Sequence, residues 1–340
     1  MQILHALAGI ALLLALAWAV SEDRKDVRWR VVASGMALTV VLAGLLLAVP
    51  WLKEAVFSLN AGLVALERAT QAGTTFVFGF LAGGPAPYTE TNPPAAFVLA
   101  FRALPLVLVV SALSALLFHW RILPAVVKAF AWVLNKSMGL GGAVGVSSAV
   151  NVFVGMVEAP LVVKPYLARL SRSELFMVMV CGMATIAGTV MALYGAILAP
   201  VVPDAIGHII IASFVATPAA IVVSALMVPG GMSNEAAIEI PRQDASAMDA
   251  VTRGTAEGAQ LLVQIVAMLI VFIALAHLAN AALALLPGPG GAPLTLQRLL
   301  GWLFAPLAWA SGVPWAVTPP PASRAGPPGP SAVGGARGRT

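Results

Sequence analysis

The sequence is poor in charge and in cysteine. Only 10% of its 340 residues are Asp, Glu, Lys or Arg, whereas soluble domains carry about 25%. Its one cysteine, Cys181, excludes a disulfide framework and a cysteine-based metal site. Together with 60% hydrophobic residues, this composition indicates an integral membrane protein rather than a globular enzyme.

Other functional classes also lack the residues that they require. The first segment has neither a positive n-region nor a small-residue cleavage site, so we expect a retained span instead of a signal peptide. The glycines at Gly139 and Gly141 are not followed by Gly-Lys-Ser/Thr, which excludes a phosphate loop. A membrane enzyme would need a paired acid and base, and the apolar segments contain one candidate carboxylate, Glu158. The net charge of +5 is spread over loops and a tail, so it does not indicate nucleic acid binding.

The long apolar runs predict an all-α integral membrane protein. A run of about 20 apolar residues crosses a hydrocarbon core of ~30 Å. On this basis we expect about six transmembrane helices, one re-entrant hairpin and interfacial helices. The predicted spans are residues 3–20, 31–51, 95–117, 175–202, 208–227 and 259–286.

Flanking residues set the predicted topology and the division of the chain. The basic loop at residues 24–30 follows the first span, so it should be cytoplasmic and the N-terminus outside. An amphipathic pattern predicts an outer interfacial helix, with a solvated connector helix as the alternative. The predicted divisions are a two-span segment (1–50), this interfacial helix (52–72), a first transport half (95–200), two further spans (206–286), an interfacial segment (294–315) and a disordered Pro/Gly/Arg tail (316–340).

A charge pattern predicts the hairpin. Residues 138–170 contain two apolar arms, with Lys136 on one side and Lys164, Arg169 and Arg172 on the other, and basic residues concentrate on the cytoplasmic side. Both ends should therefore be cytoplasmic, with the tip of the hairpin at Gly155–Glu158. Glu158 follows a run without charge, and a carboxylate at membrane depth usually faces a cavity or a partner. The alternative is an ordinary helix end near the headgroups, with Glu158 solvated.

The run Ala184–Thr189 lies in the middle of a predicted span. Its threonine hydroxyls and Gly188 favour local unwinding and coordination of a cation by oxygen atoms. The alternative is that the threonine hydroxyls bond back to their own helix.

Four motifs follow one another along the chain. They read Gly73-x-x-Phe76-Val77-Phe78-Gly79, Asn151-x-Phe153-x-Gly155-x-x-Glu158-Ala159-Pro160, Ala184-Thr185-Ile186-Ala187-Gly188 and Leu300-Gly301-Trp302 with its aromatic continuation to Trp315. Over most of residues 1–315 the chain thereby resembles the concentrative nucleoside transporters of the bacterial nucleoside permease type.

This resemblance implies a homotrimeric importer of nucleosides that is coupled to Na+ or H+ and works by elevator-like alternating access in the bacterial inner membrane. It implies no organic cofactor. The implied substrate-binding residues at the hairpin tip are Gly155, Met156, Val157 and Glu158. The implied sodium ligands are Asn151, Val154, Thr185 and Ile186. Proton coupling through Glu158 is the rival to sodium coupling.

The chain departs from the family pattern in two places. Met156 and Val157 stand where the family has Gln and Thr, so the identity of the nucleoside, or of another ligand, stays open. After Trp315 the family continues with a second hairpin and two spans, which predicts an incomplete inverted-repeat transporter. We expect the tail to be a frameshifted or replaced segment and the chain to be inactive if the missing elements are essential. The alternative function is a non-transporting membrane fragment or trimerising scaffold.

Overall fold

The computed structural model describes most of the chain. The described residues are 2–89, 97–153, 156, 159, 162–167, 169–198, 202, 204–231, 244–285 and 293–313. Their regular structure is entirely helical, and the all-α class is confirmed. The predicted tip residues Val154, Gly155, Val157 and Glu158 and the predicted disordered tail, 316–340, lie outside the described residues.

The longer helices follow one another along the described chain. They are α1 (Gln2–Ala19), α2 (Trp29–Ala48), α3 (Pro50–Phe78), α4 (Leu106–His119), α5 (Ile122–Met138), α6 (Gly142–Asn151), α7 (Arg172–Ala184), α8 (Gly188–Leu198), α9 (Ala205–Met227), α10 (Ala247–Leu283) and α11 (Leu296–Ala310). Single turns lie at Gly79–Ala82, Leu99–Arg102 and Lys164–Leu167.

Among the described residues, four segments are long and apolar enough to cross a membrane. They are Trp29–Ala48, Leu99–His119, Ala205–Met227 and Ala247–Leu283, and α1 contains a shorter apolar helix. The predicted span 175–202 is divided into α7 and α8, so the unwinding expected near Thr185 is present. The predicted hairpin begins with α6, which follows the turn at Gly139.

Helices α3, α10 and α5 depart from the predictions made from the sequence. The predicted interfacial helix 52–72 is the central part of α3, which continues to Phe78. The predicted span 259–286 falls largely within a longer helix, α10, which already begins at Ala247, because no proline separates the span from the polar residues before it. Helix α5 was not predicted, although its buried and exposed residues alternate with helical spacing.

The chain divides into two compact units. Residues 20–265 form one unit, in which α9 packs against α2, α3, α7 and α8. Helix α9 contributes buried side chains from Ala205 to Leu226 and is the centre of this unit. The other unit comprises residues 1–19 and 266–340. In it, α1 packs on α11, and Nε2–H of His5 donates a hydrogen bond to the Trp309 carbonyl at 2.7 Å.

An ion pair holds the start of α10. Asp244 is 6% exposed and accepts two hydrogen bonds from Arg253, at 2.6 Å from Nε and 2.9 Å from Nη2. A third bond, at 2.8 Å, joins Arg253 to the exposed carboxylate of Glu257. The hydrogen bonds from Arg253 hold the pKa of Asp244 below its ordinary value, against the opposing effect of burial.

We expect Asp244→Asn to destabilise the folded protein by about 1–3 kcal/mol, because Arg253 loses a charged acceptor. A lowered carboxyl pKa stabilises the fold at pH values above the unfolded pKa of about 3.9, and this contribution is lost as the pH falls through the folded value. Thermal unfolding measured from pH 7 to pH 3 should therefore decline less steeply in the variant than in the parent. Glu257→Gln is the matched control and should change stability little, since its carboxylate is solvated. Parallel pH profiles for Asp244→Asn and the parent would contradict this role.

Candidate cation and substrate site

Helix α6, the first arm of the predicted hairpin, is buried along its whole length. Every residue from Gly142 to Asn151 is buried, and most of these side chains are small. A Cβ atom on Gly145 would collide with the Oδ1 atom of Asn135 on α5. The absent side chain thus allows α6 to lie directly against α5, and this contact places Asn151 at the inner end of the arm.

The other wall of the site, α7, is fixed at its first turn. Ser171 and Glu174 form a reciprocal capping box, which satisfies two backbone N–H groups at the helix start. Two hydroxyls then tie this turn to the end of α9. Ser171 Oγ donates to the Gly231 carbonyl at 2.8 Å, and Ser173 Oγ donates to the Val228 carbonyl at 2.7 Å. The position of the far end of α7 follows from this anchored start.

The break between α7 and α8 contacts the end of α6. Helix α7 ends at Ala184, and Thr185 adopts an extended conformation with φ −111° and ψ 160°. The N–H of Gly188 donates to the Phe153 carbonyl at 3.0 Å. A Cβ atom on Gly188 would lie 2.5 Å from that oxygen, so only glycine permits this approach. The structure therefore brings together two motifs that are more than 30 residues apart in sequence.

Asn151 is the central side chain of this junction. Its Nδ2 group donates to the Cys181 carbonyl at 2.9 Å and to Thr185 Oγ1. Thr185 Oγ1 in turn donates to the Cys181 carbonyl at 3.1 Å. These bonds fix the orientation of the amide, and they leave Asn151 Oδ1 buried without a hydrogen-bond partner in the described structure. Because Asn151 is only 2% exposed, the free carbonyl oxygen is a site prepared for a donor or a cation.

The electrostatics of the junction favour a cation. Helices α6 and α7 both end here, at Asn151 and Ala184, and each helix C-terminus carries a partial negative charge of roughly half an elementary charge. The described residues contain no group of three His, Cys, Asp or Glu side chains that could hold a transition metal. Neutral hydroxyl and carbonyl oxygens are the ligands that a hard cation prefers.

Phenylalanine rings fix the Phe153 end of the junction. The Phe153 ring meets Phe214 of α9 edge-on, with centroids 5.7 Å apart. Phe214 makes a second edge-on contact with Phe130 of α5, at 5.0 Å. Such contacts contribute about 0.5–1.5 kcal/mol each beyond the burial of area, so Phe153 is packed against α9 through a ring that α5 supports from its other side.

The structure describes four of the eight predicted site residues, which are Asn151, Met156, Thr185 and Ile186. Asn151 and Thr185 are in direct contact, and Ile186 follows in the helix break, where it is partly buried. Met156 is 58% exposed and lies beside Gly182 of α7, where an added Cβ would be 3.2 Å from the Met156 Cβ. The other four predicted residues, Val154, Gly155, Val157 and Glu158, fall outside the described part of the chain.

Two further residues belong to this junction and were missed in the sequence. Gly182 lies one turn before Thr185 on α7, and helical spacing could have identified it as part of the same face. The Cys181 carbonyl accepts hydrogen bonds from both Asn151 and Thr185. No side-chain pattern signals a backbone acceptor, so this contact could not have been read from the sequence.

Comparison with known families identifies three consecutive matches along the chain. Residues 8–81 match the Na+ dependent nucleoside transporter N-terminus, residues 100–201 match a family described as nucleoside recognition, and residues 208–323 match the Na+ dependent nucleoside transporter C-terminus. The second of these contains both halves of the junction described above.

Similar proteins and structures agree with these matches. The chain is 35% identical to an uncharacterized transporter of Haemophilus influenzae, over 92% of this chain and 73% of that protein. It is 32% identical to the nucleoside permease NupC of Helicobacter pylori, with the same coverage of both chains. Among solved structures, CNTnw in an inward-facing substrate-bound state superposes with a TM-score of 0.84 at 36% identity, covering 94% of this chain and 74% of that one.

Proposed function

The chain belongs to the Na+ dependent nucleoside transporter family, and from this premise we propose that it is a sodium-coupled symporter that imports nucleosides by alternating access. This family consists of nucleoside transporters and not of enzymes, in agreement with the prediction from the sequence. Its apolar helices and its relatives make it a multi-pass membrane protein.

The observation that carries the proposal is the buried Oδ1 atom of Asn151, which has no hydrogen-bond partner among the described residues. In the proposed site a sodium ion is coordinated by this oxygen, by Thr185 Oγ1 and by the backbone carbonyl oxygens of Val154 and Ile186. Thr185 Oγ1 already accepts one hydrogen bond and donates another, which leaves one lone pair for the ion. Oxygen ligands without a formal charge suit a monovalent cation that must also be released.

Ion binding and substrate binding are coupled in this arrangement by shared structure. The proposed ligands come from both sides of the junction. Asn151 and Val154 belong to the predicted hairpin, and Thr185 belongs to the break after α7. A bound ion would therefore hold the hairpin tip, where Gly155, Met156, Val157 and Glu158 are proposed to contact the substrate. Since such coupling is reciprocal, the nucleoside would raise the affinity for sodium by the same factor.

The proposed tip offers one charged acceptor and an apolar surface. The Glu158 carboxylate would accept hydrogen bonds from N–H or O–H groups of the nucleoside. Met156, which is largely exposed, and Val157 would contact the nucleobase by shape instead of hydrogen bonding. We therefore expect weaker discrimination between base edges than in a site with two polar groups at these positions.

The assembly and orientation are also proposals. We propose a homotrimer in the bacterial inner membrane with the N-terminus on the periplasmic side, which is supported by the basic loop after the first predicted span. A non-transporting scaffold is the competing function, and it differs from the symporter in one measurable respect, which is movement of substrate.

Uptake of radiolabelled nucleosides into proteoliposomes that contain the full chain tests the proposal. We expect accumulation above the external concentration when a sodium gradient is imposed, and loss of accumulation when the gradient is dissipated. A panel of purine and pyrimidine nucleosides identifies the substrate. Accumulation driven by a pH gradient alone would replace sodium by protons as the coupling ion. No accumulation under either gradient, with the protein correctly inserted, would favour the scaffold.

A further inference from the structure

A cavity of about 320 Å³ lies in the unit formed by residues 20–265, and this volume is within the range of small-molecule sites. It shares no residue with the junction around Asn151. Its lining includes Glu67, Thr70, Gln71, Arg102, Leu106 and Ile197.

The cavity contains a cation and an anion that do not pair with each other. Glu67 projects from α3 and Arg102 from the turn before α4. Within the described residues no hydrogen bond or ion pair joins Glu67 to Arg102. The guanidinium carbon of Arg102 instead lies over the Phe97 ring, 5.8 Å from its centroid. Two opposite charges that face one concavity without meeting leave room for a ligand with both signs of charge.

The place of Arg102 is built into the local backbone. Gly83 has a φ of +92°, and an added Cβ there would lie 2.6 Å from Nε and Nη2 of Arg102. The glycine thus leaves space for the guanidinium group at the cavity wall. Nearby, Thr70 is 5% exposed and donates its hydroxyl proton to the Leu66 carbonyl at 2.8 Å, so that its oxygen can still accept a hydrogen bond.

Arg102 lies in the first turn of the candidate span Leu99–His119. A long basic side chain near the end of a span can extend its charged group to the lipid headgroups. Leu106 and Ile197 add apolar lining to the same cavity, as an acyl-linked ligand would require.

We propose that this cavity binds a zwitterionic phosphate–ammonium group, carried by a phospholipid of the surrounding membrane. The guanidinium of Arg102 would pair with the phosphate through its planar set of donors. The Glu67 carboxylate would accept hydrogen bonds from the ammonium group, and Gln71 would complete the polar wall. The proposal depends on insertion in a membrane and is independent of whether the chain transports nucleosides.

Native mass spectrometry of the full chain tests this site. The protein is released from nanodiscs that contain equal amounts of phosphatidylethanolamine and phosphatidylglycerol, and the lipid retained on it is counted. We expect phosphatidylethanolamine to be retained at least about fivefold over phosphatidylglycerol. Arg102→Gln and Glu67→Gln should each reduce its retention about tenfold, which is the effect of losing one charge-assisted contact.

Matched variants separate this site from general lipid adhesion. Arg68→Gln and Glu54→Gln remove charges from the same helix, α3, outside the cavity lining, and they should leave retention unchanged. Arg102→Lys keeps the charge and should retain more phosphatidylethanolamine than Arg102→Gln. If Arg102→Gln does not fold, Glu67→Gln, which alters an exposed side chain, tests the same cavity.

The outcomes are distinct. Displacement of the lipid by soluble glycerophosphoethanolamine would support the same recognition chemistry and show that a free headgroup can also supply it. Equal retention of the two lipids, a preference for phosphatidylglycerol, or unchanged retention in both Gln variants would overturn the proposal.

Discussion

Replacement of Asn151 by alanine is expected to reduce sodium-driven uptake about 10- to 100-fold, the cost of losing one contact to a charged group. The variant loses the free Oδ1 atom, and it also loses the Nδ2 bonds to Cys181 and Thr185 that orient the junction. Sodium should then no longer stabilise the folded protein. In the parent, sodium at 100 times its dissociation constant would raise the free energy of unfolding by about 2.7 kcal/mol.

The effect of Asn151→Ala can be separated from damage to α6. Ser147 is a second buried polar residue on the same helix, 1% exposed and one turn earlier. Ser147→Ala should keep both sodium-driven uptake and stabilisation by sodium. Thr185→Val, which removes one proposed ligand and preserves the side-chain shape, should weaken both in the same direction as Asn151→Ala. Undiminished stabilisation by sodium in Asn151→Ala would remove this residue from the cation site.

The second large effect is expected at Glu158. Glu158→Gln removes the one negative charge of the proposed hairpin tip, and uptake should fall to background, about 100-fold or more. The reason is that the nucleoside loses a charged acceptor while the shape of the tip is retained. The prediction rests on the sequence, since Glu158 lies outside the described residues. It is measured as initial uptake under a sodium gradient.

A separate readout distinguishes the role of Glu158 from that of the cation site. Stabilisation by sodium should persist in Glu158→Gln, because Asn151 and Thr185 remain in place. Glu257→Gln removes an exposed carboxylate of the Arg253 ion pair and serves as the matched control, with uptake unchanged. Retained uptake in Glu158→Gln would exclude this carboxylate from substrate binding. If uptake by the parent responds to a pH gradient and not to sodium, and Glu158→Gln loses that response, Glu158 is assigned to proton coupling instead.

Much of the architecture could be predicted from composition and charge. Apolar runs of the required length predicted α2 and α9 closely, because lipid leaves few alternatives to a complete helix. The expectation of unwinding at Ala184–Thr189 was also confirmed, since Thr185 and the following residues interrupt the helix. The alternative, a threonine bonded back to its own helix, is present as well, because Thr185 Oγ1 donates to Cys181.

Other features required the folded chain. Helix α5 is mostly apolar, but its 17 residues are too few for a predicted span, and its packing against α6 shows that it belongs to the core. Similarly, the predicted span begins at Ala259 whereas α10 begins at Ala247, because the charged side chains of Arg253 and Glu257 interrupt the apolar run without interrupting the hydrogen bonds of the backbone.

The sequence by itself determined that this protein is a helical membrane protein, which family it resembles, and which side chains are candidates for an ion and a nucleoside. These conclusions follow from local properties, such as the cost of burying charge and the length of apolar runs. Only the tertiary structure decided that Asn151 Nδ2 donates to Cys181 and Thr185, so that the Oδ1 atom has no hydrogen-bond partner in the described part of the chain. The reason is that the direction of an amide depends on backbone groups about 30 residues away, and no local pattern in the chain encodes their approach.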